Sequence, residues 1–253
     1  MWRPRRQFVI GDIHGHYDEL MALYKQFFEF AFDPKLDQVI ALGDLINVGP
    51  KSKEVVQQFM DWQEEFDTPE QKHFIALYGN HEDLLLDAIN PLHPVYGDPE
   101  LWLEQGGNET LKSYTPKLAK LSKKAFQKAR KNAKEFLDPE HIRWLSALPY
   151  YIIDEDYVFV HGGLPDQPLQ QIVQRSQLND PKLNYDLVWL RDEFIYSTFQ
   201  WGKRIIFGHT PSTNGEPIVT PTKIGLNTMP RNEGKLTAIE IPSLRFIFQQ
   251  KLS

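Results

Sequence analysis

The chain predicts an α/β fold, and three observations carry that prediction. Five short apolar runs of buried-strand type occur at Phe8–Ile10, Gln38–Leu42, His73–Tyr78, Tyr157–Val160 and Arg204–Phe207. Segments with helical apolar spacing follow the first three. Each run also ends in a glycine-bearing loop that delivers an oxygen or nitrogen ligand: Gly11-Asp12-Ile13-His14-Gly15, Gly43-Asp44, Gly79-Asn80-His81-Glu82, His161-Gly162-Gly163 and Gly208-His209-Thr210. Strand, ligand loop and helix in succession describe repeated βα units whose functional loops gather at the carboxyl ends of the strands. The first loop alone reads equally well as a helix cap at Asp12 with an incidental His14. Its recurrence in four further places favours a shared site.

Taken in order, Leu20, Leu23, Tyr24, Phe27 and Phe28 mark a crossover helix over 17–32, which Asp33-Pro34 ends. Val55, Val56, Phe59 and Trp62 mark a second from Ser52 to Phe66, stopped at Thr68-Pro69, and a third is expected from Asp83 to Ile89. Residues 91–148 lack strand signals and are expected as a helical insert within a single domain covering 1–253. Trp102 to Gly107 suggests a helix and a glycine turn, with another helix start over Thr110 to Tyr114. Within the insert, Lys117 to Lys134 holds seven lysines and Arg130 with no acid, over a stripe of Leu118, Leu121, Ala125, Ala129 and Ala133. That run reads first as a solvated helix face, next as an electropositive flank for a phosphorylated ligand, protein or nucleotide, and least as a membrane-surface helix, since its stripe is mostly alanine and short on bulky anchors. Strands resume as a hairpin of Tyr150–Ile153 and Tyr157–Val160 around Asp154-Glu155-Asp156, and Leu187–Phe194 is an apolar segment with one arginine. Short strands at Pro217–Thr220, Lys223–Asn227, Leu236–Ile241 and Leu244–Phe248 are expected as an antiparallel continuation.

Composition narrows the function. Hydrophobic residues make up 41% and aromatic residues 13% of 253, a globular proportion, and no apolar run approaches the roughly 20 residues that cross a bilayer. The basic start Met1-Trp2-Arg3-Pro4-Arg5-Arg6 lacks the apolar core of a secretory signal, so a cytoplasmic location and no membrane partner are expected. The absence of cysteine excludes disulfides, a thiolate nucleophile and Cys-held zinc or iron–sulfur sites. A net charge of -6 argues against general nucleic-acid binding.

The loop residues Asp12, His14, Asp44, Asn80, His161 and His209 offer carboxylate, carboxamide and imidazole donors, which suit divalent Mn, Fe, Zn or Co. Six ligands are too many for one tetrahedral zinc, whereas two ions sharing a carboxylate fit the count. Such a pair clamps the attacking and leaving oxygens of an in-line phosphoryl displacement and lowers the pKa of a water, which predicts phosphoester hydrolysis without a covalent phosphoenzyme.

Those five blocks, with the second extended as Gly43-Asp44-Leu45-Ile46-Asn47-Val48-Gly49-Pro50, resemble the calcineurin-like metallophosphoesterases from Gly11 to about Thr210. Within that family the sequence is most similar to the phosphoprotein phosphatase group, which includes bacterial serine/threonine phosphatases and symmetrical diadenosine tetraphosphatases. The resemblance implies a central β-sandwich of two mixed sheets flanked by helices. It also implies that Asp12, His14 and Asp44 hold one metal and that Asp44, Asn80, His161 and His209 hold the other, Asp44 bridging. Mn²⁺ is the expected cofactor, with Fe, Zn, Co or Ni as alternatives. By the same likeness His81 is the general acid for the leaving oxygen and Arg191 grips the phosphate, although Arg191 could equally pair with Asp192 or Glu193. His16 is expected beside the site or facing solvent, and His73, His93 and His141 are expected to be structural.

The chain departs from the family where an aspartate and an arginine usually stand, carrying Asn47 and Val48 instead. Asn47 is expected to accept a hydrogen bond from His81 and to support an imidazolium less well than a carboxylate does. Asn227-Thr228 similarly replaces an aspartate-threonine pair. Three functions remain in view. The leading one is a phosphomonoesterase acting on phosphoproteins or small phosphate esters. The others are a dinucleoside polyphosphate hydrolase, with a base pocket in the insert, and a low-turnover module that binds metal and phosphate.

Overall fold

In β1 (Gln7–Ile10), Phe8 and Ile10 pack toward helices while Val9 between them packs the opposite way. β2 (Gln38–Ala41) repeats this, with Val39 and Ala41 on the helical side and Ile40 opposite. Both strands are apolar on two faces because both faces are covered. β5 (Tyr157–Val160) and β6 (Arg204–Phe207) follow the same rule in a second sheet, where Phe159 and Ile206 turn toward Val9 and Ile40. The inner layer formed by those residues, joined by Leu42, Leu77, Ile224, Leu226, Ile239 and Ile241, is the dry seam between two sheets.

The protein is described by a computed structural model over residues 3–90, 99–115, 136–229 and 234–252. The lysine-rich run at 117–134 and His93 lie outside the described residues. The first sheet has the order β10-β9-β1-β2-β3 and the second the order β4-β5-β6-β8-β7. β3 covers Phe74–Ala76, β4 Tyr151–Ile153, β7 Ile218–Val219, β8 Lys223–Gly225, β9 Lys235–Ile241 and β10 Arg245–Gln250. In the first sheet β1, β2 and β3 are parallel and reach one edge, with antiparallel β9 and β10 on the other side; in the second, parallel β5, β6 and β8 lie between antiparallel β4 and β7. Helices α1 (Tyr17–Glu29), α2 (Ser52–Phe66) and α3 (Asn80–Ile89) cover the outer face of the first sheet through Leu20, Phe27, Phe59 and Leu85. The second sheet is covered by α7 (Leu169–Gln177), α8 (Pro181–Trp189) and α9 (Asp192–Ile195), through Ile172, Leu187 and Phe194. This is the two-sheet sandwich that the family resemblance implied.

Between the halves, the described residues of the expected insert are helical: α4 (Pro99–Trp102), a wide turn over Leu103–Gly107, α5 (Asn108–Tyr114) and α6 (Pro139–Ser146). Trp102 and Leu111 sink into the helical layer of the first sheet.

Several boundaries differ from expectation. The first helix ends at Glu29, where Phe30 and a left-handed Ala31 turn the chain before Asp33-Pro34 is reached. The third begins at Asn80, three residues early, because Glu82 folds back to accept the Gly79 N–H at 3.0 Å and closes the first turn. α8 has no counterpart in the expected elements, although Asp180 caps it by accepting from Lys182 N and Leu183 N with Pro181 in its first turn. The carboxy-terminal strands are not all antiparallel: β8 runs parallel to β6, and only β9 and β10 return to the first sheet. Among the described residues no helix is long and apolar enough to cross a membrane.

Phe159 is fully buried in the seam between the sheets. Phe159→Ala is therefore expected to destabilise the protein by about 3–5 kcal/mol, read from the midpoint of urea unfolding.

Candidate metal centre

Each ligand loop leaves the carboxyl end of a parallel strand: Asp12 and His14 after β1, Asp44 after β2, Asn80 after β3, His161 after β5 and His209 after β6. Because the two sheets stack, the loops of both converge on one basin. All six side chains are buried and close-set. His14 Nε2 lies 3.7 Å from Asp44 Oδ2 and 4.0 Å from Asp12 Oδ2. His161 Nε2 lies 3.3 Å from Asp44 Oδ1 and 2.9 Å from Asn80 Oδ1, with His209 Nδ1 at 2.7 Å from that same amide oxygen. Asp44 thus faces both groups of donors. Two clusters of potential metal ligands share it, His14 with Asp44 and His81, and Asp44 with His161 and His209.

The ring tautomers support cation binding. His14 Nδ1 is 3.2 Å from the Ile46 carbonyl and His161 Nδ1 is 2.9 Å from the Leu42 carbonyl. A carbonyl only accepts, so each Nδ1 carries the ring proton and each Nε2 turns a bare lone pair toward the carboxylates. Lone pairs facing carboxylate oxygens repel unless a cation sits between them. Donating the outer ring nitrogen to a backbone carbonyl is also how metal-binding histidines are held.

The electrostatics point the same way. Burial pushes the Asp12 and Glu82 carboxyls up to about 7 and raises Asp44 well above the usual carboxylate range, where the nearby Asp12 and Glu82 charges add to the effect. Burial lowers His14 to about 4 and His209 to about 3, and drives His161 and His81 far down. The basin therefore gathers carboxylates among neutral imidazoles, a donor set that two divalent cations fit.

The resemblance gave Glu82 no role, and the structure supplies one. Its buried carboxylate accepts the N–H groups of Asp44 at 2.9 Å, Leu45 at 2.9 Å, Ile46 at 3.4 Å and Gly79 at 3.0 Å, and so fixes the loop that carries Asp44. Gly79 must be glycine for that approach, since a Cβ there would sit 2.4 Å from Asp44 Oδ1. The legible signal was a glutamate at the third helical position after a cap. Asn227 donates to Asp12 Oδ2 at 2.6 Å, so an amide now holds a carboxylate that an aspartate would repel.

His81 lies beside the basin, its Nε2 3.9 Å from Asp44 Oδ2. Asn47 lies 2.9 Å from His81, but with its Nδ2 facing Nδ1, so Asn47 donates where it was expected to accept. Arg191 pairs with neither acidic neighbour: its Nε donates to His209 Nε2 at 2.9 Å from the cavity wall. Val48 adopts a left-handed φ of 66° and backs onto Gly106, where a Cβ would lie 2.5 Å from Val48 N. His16 is buried near Glu19, His73 meets the Asp37 carbonyl, and His141 lies between Tyr114 and Gln57.

A cavity of about 690 Å³ opens over the basin, lined by His81, Asn80, Arg191 and Trp189, and on the insert side by Leu101 and Gln105. A family model described as calcineurin-like phosphoesterase matches residues 6–222, a span that contains every ligand loop. The chain belongs to this family. Serine/threonine-protein phosphatase 2 of Escherichia coli (strain K12) is 35% identical over 104 residues, 41% of this chain and 39% of that protein. The symmetrical bis(5'-nucleosyl)-tetraphosphatase of Nitrosococcus oceani is 38% identical over 94 residues, 37% of this chain and 30% of that protein. These matches span well under half of either relative. A solved candidate diadenosine tetraphosphatase superposes with a TM-score of 0.60 at 20% identity over 99% of this chain and 97% of its own, which shows a shared fold.

Two outcomes follow for this member of the family. Glu82→Gln leaves backbone donors facing an amide NH₂, and is expected to weaken Zn²⁺ or Mn²⁺ affinity about 10–100-fold, measured by titration calorimetry. The second concerns pH. The raised Asp12 and Glu82 values contribute stability present below the ordinary carboxylate range and lost as pH rises through about 7. Lowered His14 and His209 contribute stability present above 6.5 and lost as pH falls toward 4 and 3. Above neutrality the carboxylate loss dominates in metal-free protein, while deprotonated ligands bind cations best. The rise in melting temperature on adding Zn²⁺ is therefore expected to be larger at pH 8 than at pH 6, and an equal rise would contradict this electrostatic account.

Proposed function

We propose that the protein is a metal-dependent phosphoesterase that hydrolyses phosphomonoesters, on phosphoproteins or small molecules, by direct attack of water. The observation that carries this reading is the convergence of six buried oxygen and nitrogen donors from two sheets around the Asp44 carboxylate. In this reading Asp12, His14 and Asp44 hold one divalent cation, Asp44, Asn80, His161 and His209 hold another, and Mn²⁺ is the preferred ion. Cations held there would polarise the phosphate and lower the pKa of the attacking water.

The chain's own residues do the rest. For His209 to present Nδ1 as a lone pair its proton must sit on Nε2, which ends the hydrogen bond from Arg191 and frees that guanidinium for a phosphate oxygen. Arg191 is the only arginine or lysine on the cavity wall among the described residues, Val48 supplying no second charge. In this reading His81, on the cavity wall, meets the leaving oxygen.

The size of the cavity and its insert-side wall of Leu101, Glu104, Gln105 and Gly106 favour a second reading, hydrolysis of dinucleoside polyphosphates. With Mn²⁺ added, the purified protein is expected to cleave an aryl phosphate such as p-nitrophenyl phosphate, and EDTA to abolish turnover. No turnover with Mn²⁺, Co²⁺, Ni²⁺ or Zn²⁺ would instead favour a binding module. Parallel assays with phosphopeptides and diadenosine polyphosphates separate the two substrate classes.

A further inference from the structure

The hydrogen bonds around Asn47 leave its amide one orientation. Trp102 Nε1 lies 3.0 Å from Asn47 Oδ1, and an indole nitrogen only donates, so the atom it faces is the amide oxygen. The Thr110 hydroxyl donates to the same oxygen at 2.8 Å. Asn47, Trp102 and Thr110 are each fully buried, which leaves no water to take over either donor's place. The amide NH₂ is thereby turned to His81, with Nδ2 2.9 Å from Nδ1. An amide nitrogen has no lone pair to offer, so His81 Nδ1 must accept, and the ring's one N–H is at Nε2. That edge of the ring lies on the far side from Asn47, 3.9 Å from Asp44 Oδ2, in a side chain that lines the cavity.

Resting on the phosphoesterase reading above, we propose that Trp102 and Thr110 are positioning residues that hold Asn47 as a donor. His81 then offers the leaving oxygen a hydrogen bond but no spare proton, and the site selects substrates whose leaving group is stable as an anion. These are aryl phosphates and phosphoanhydrides such as dinucleoside polyphosphates; alkyl esters of serine or threonine are disfavoured.

The chemistry follows from the bond change. Water's oxygen bonds to phosphorus as the bond from phosphorus to the leaving oxygen breaks, and that electron pair stays on the leaving oxygen. A dianionic monoester and water thus give an anionic leaving group and H₂PO₄⁻, with charge and atoms conserved. A nucleotide phosphate or an aryl oxide departs in this way with only the Nε2–H to solvate it. An alkoxide needs a proton as it leaves, a contribution of about 10²–10⁴-fold where a general acid provides one. To give that proton, His81 would have to become an imidazolate. With a carboxylate at position 47, Trp102 and Thr110 would still find acceptors, but His81 Nδ1 would have to donate, and the polarity of the pair would reverse.

The test combines a spectrum with a leaving-group series on the full chain. ¹⁵N-labelled imidazole spectra, recorded with and without Mg²⁺ and with His81 assigned against His81→Gln, are expected to show the Nε2–H tautomer. Trp102→Phe, which keeps the bulk and removes the donor, is expected to mix the tautomers. Observation of Nδ1–H at His81 in the unaltered protein overturns the proposal. In the kinetic arm, turnover with Mn²⁺ is expected to fall steeply across aryl phosphates of rising leaving-group pKa, with phosphoserine peptide about 10²-fold or more below p-nitrophenyl phosphate. Asn47→Asp is expected to flatten that slope and to raise the phosphoserine rate. Comparable rates for alkyl and aryl esters in the unaltered protein also overturn the proposal. Failure to cleave any substrate with any cation sinks the phosphoesterase reading and the selectivity with it, while the tautomer spectrum still decides the hydrogen-bond polarity on its own.

Discussion

Three carboxylates, those of Asp12, Asp44 and Glu82, are buried within one basin, and the geometry around them is arranged to make that tolerable. An isolated buried carboxylate costs several kcal/mol and is relieved by hydrogen bonds, by protonation or by a cation. Glu82 is relieved by backbone donors alone, four N–H groups from the Asp44 loop and the α3 cap. Asp12 accepts from the His209 backbone N–H and from Asn227, which leaves its charge only partly offset. Asp44 is the least compensated: the His81 backbone N–H donates to it, and around it stand imidazole lone pairs. The carboxylate that most lacks a counter-charge is therefore the one that both ligand clusters share.

That arrangement depends on the layering of the fold. Parallel strands send their carboxyl ends in one direction, and alternation along β1, β2, β5 and β6 places one residue in two on the seam between the sheets. Register is thus fixed by the seam, because a slip of one residue would carry Val9 or Phe159 to the wrong face. The same register sets how far the Asp12 and His209 loops are from each other. Close packing at Gly208, where a Cβ would lie 2.2 Å from Asp12 Oδ1, shows that the two sheets meet at the basin without slack.

Much of this was legible in the sequence. Strand-to-loop punctuation identified all six candidate ligands before any geometry, since a buried run ending at glycine and a polar donor is a local pattern. The antiparallel direction assigned to Lys223–Asn227 was not sound, because strand direction depends on pairing partners distant along the chain. Helices α7 and α8 escape the periodicity for a different reason: α7 buries only Ile172 and α8 has a weak apolar stripe, so the Asp180-Pro181 cap is the stronger signal. Asn47 was recognised as a departure but read with its hydrogen bond reversed. Nothing local to 43–50 reveals that Trp102 and Thr110, more than fifty residues on, both donate to its oxygen.

That last point changes how the insert is understood. Its described helices lie against the first sheet's helical layer, and their contribution to the site is made through hydrogen-bond donors rather than through ligands. A buried amide side chain has two ends of opposite polarity, so whichever group claims the oxygen decides what the nitrogen must face. With an aspartate at 47 the same two donors would be satisfied and the histidine would still be free to donate. With an asparagine there, satisfying Trp102 and Thr110 consumes the only acceptor, and His81 is left facing a donor. The asparagine therefore transmits the insert's chemistry to His81, and Gly106, pressed against the left-handed Val48, holds the turn in which that transmission occurs. Loss of a negative charge at 47 and loss of a positive one at 48 are accordingly a single local change in polarity. On the phosphoesterase reading proposed above, they would move the site away from proton donation and strong phosphate grip, beside six candidate ligands whose geometry does not involve either side chain.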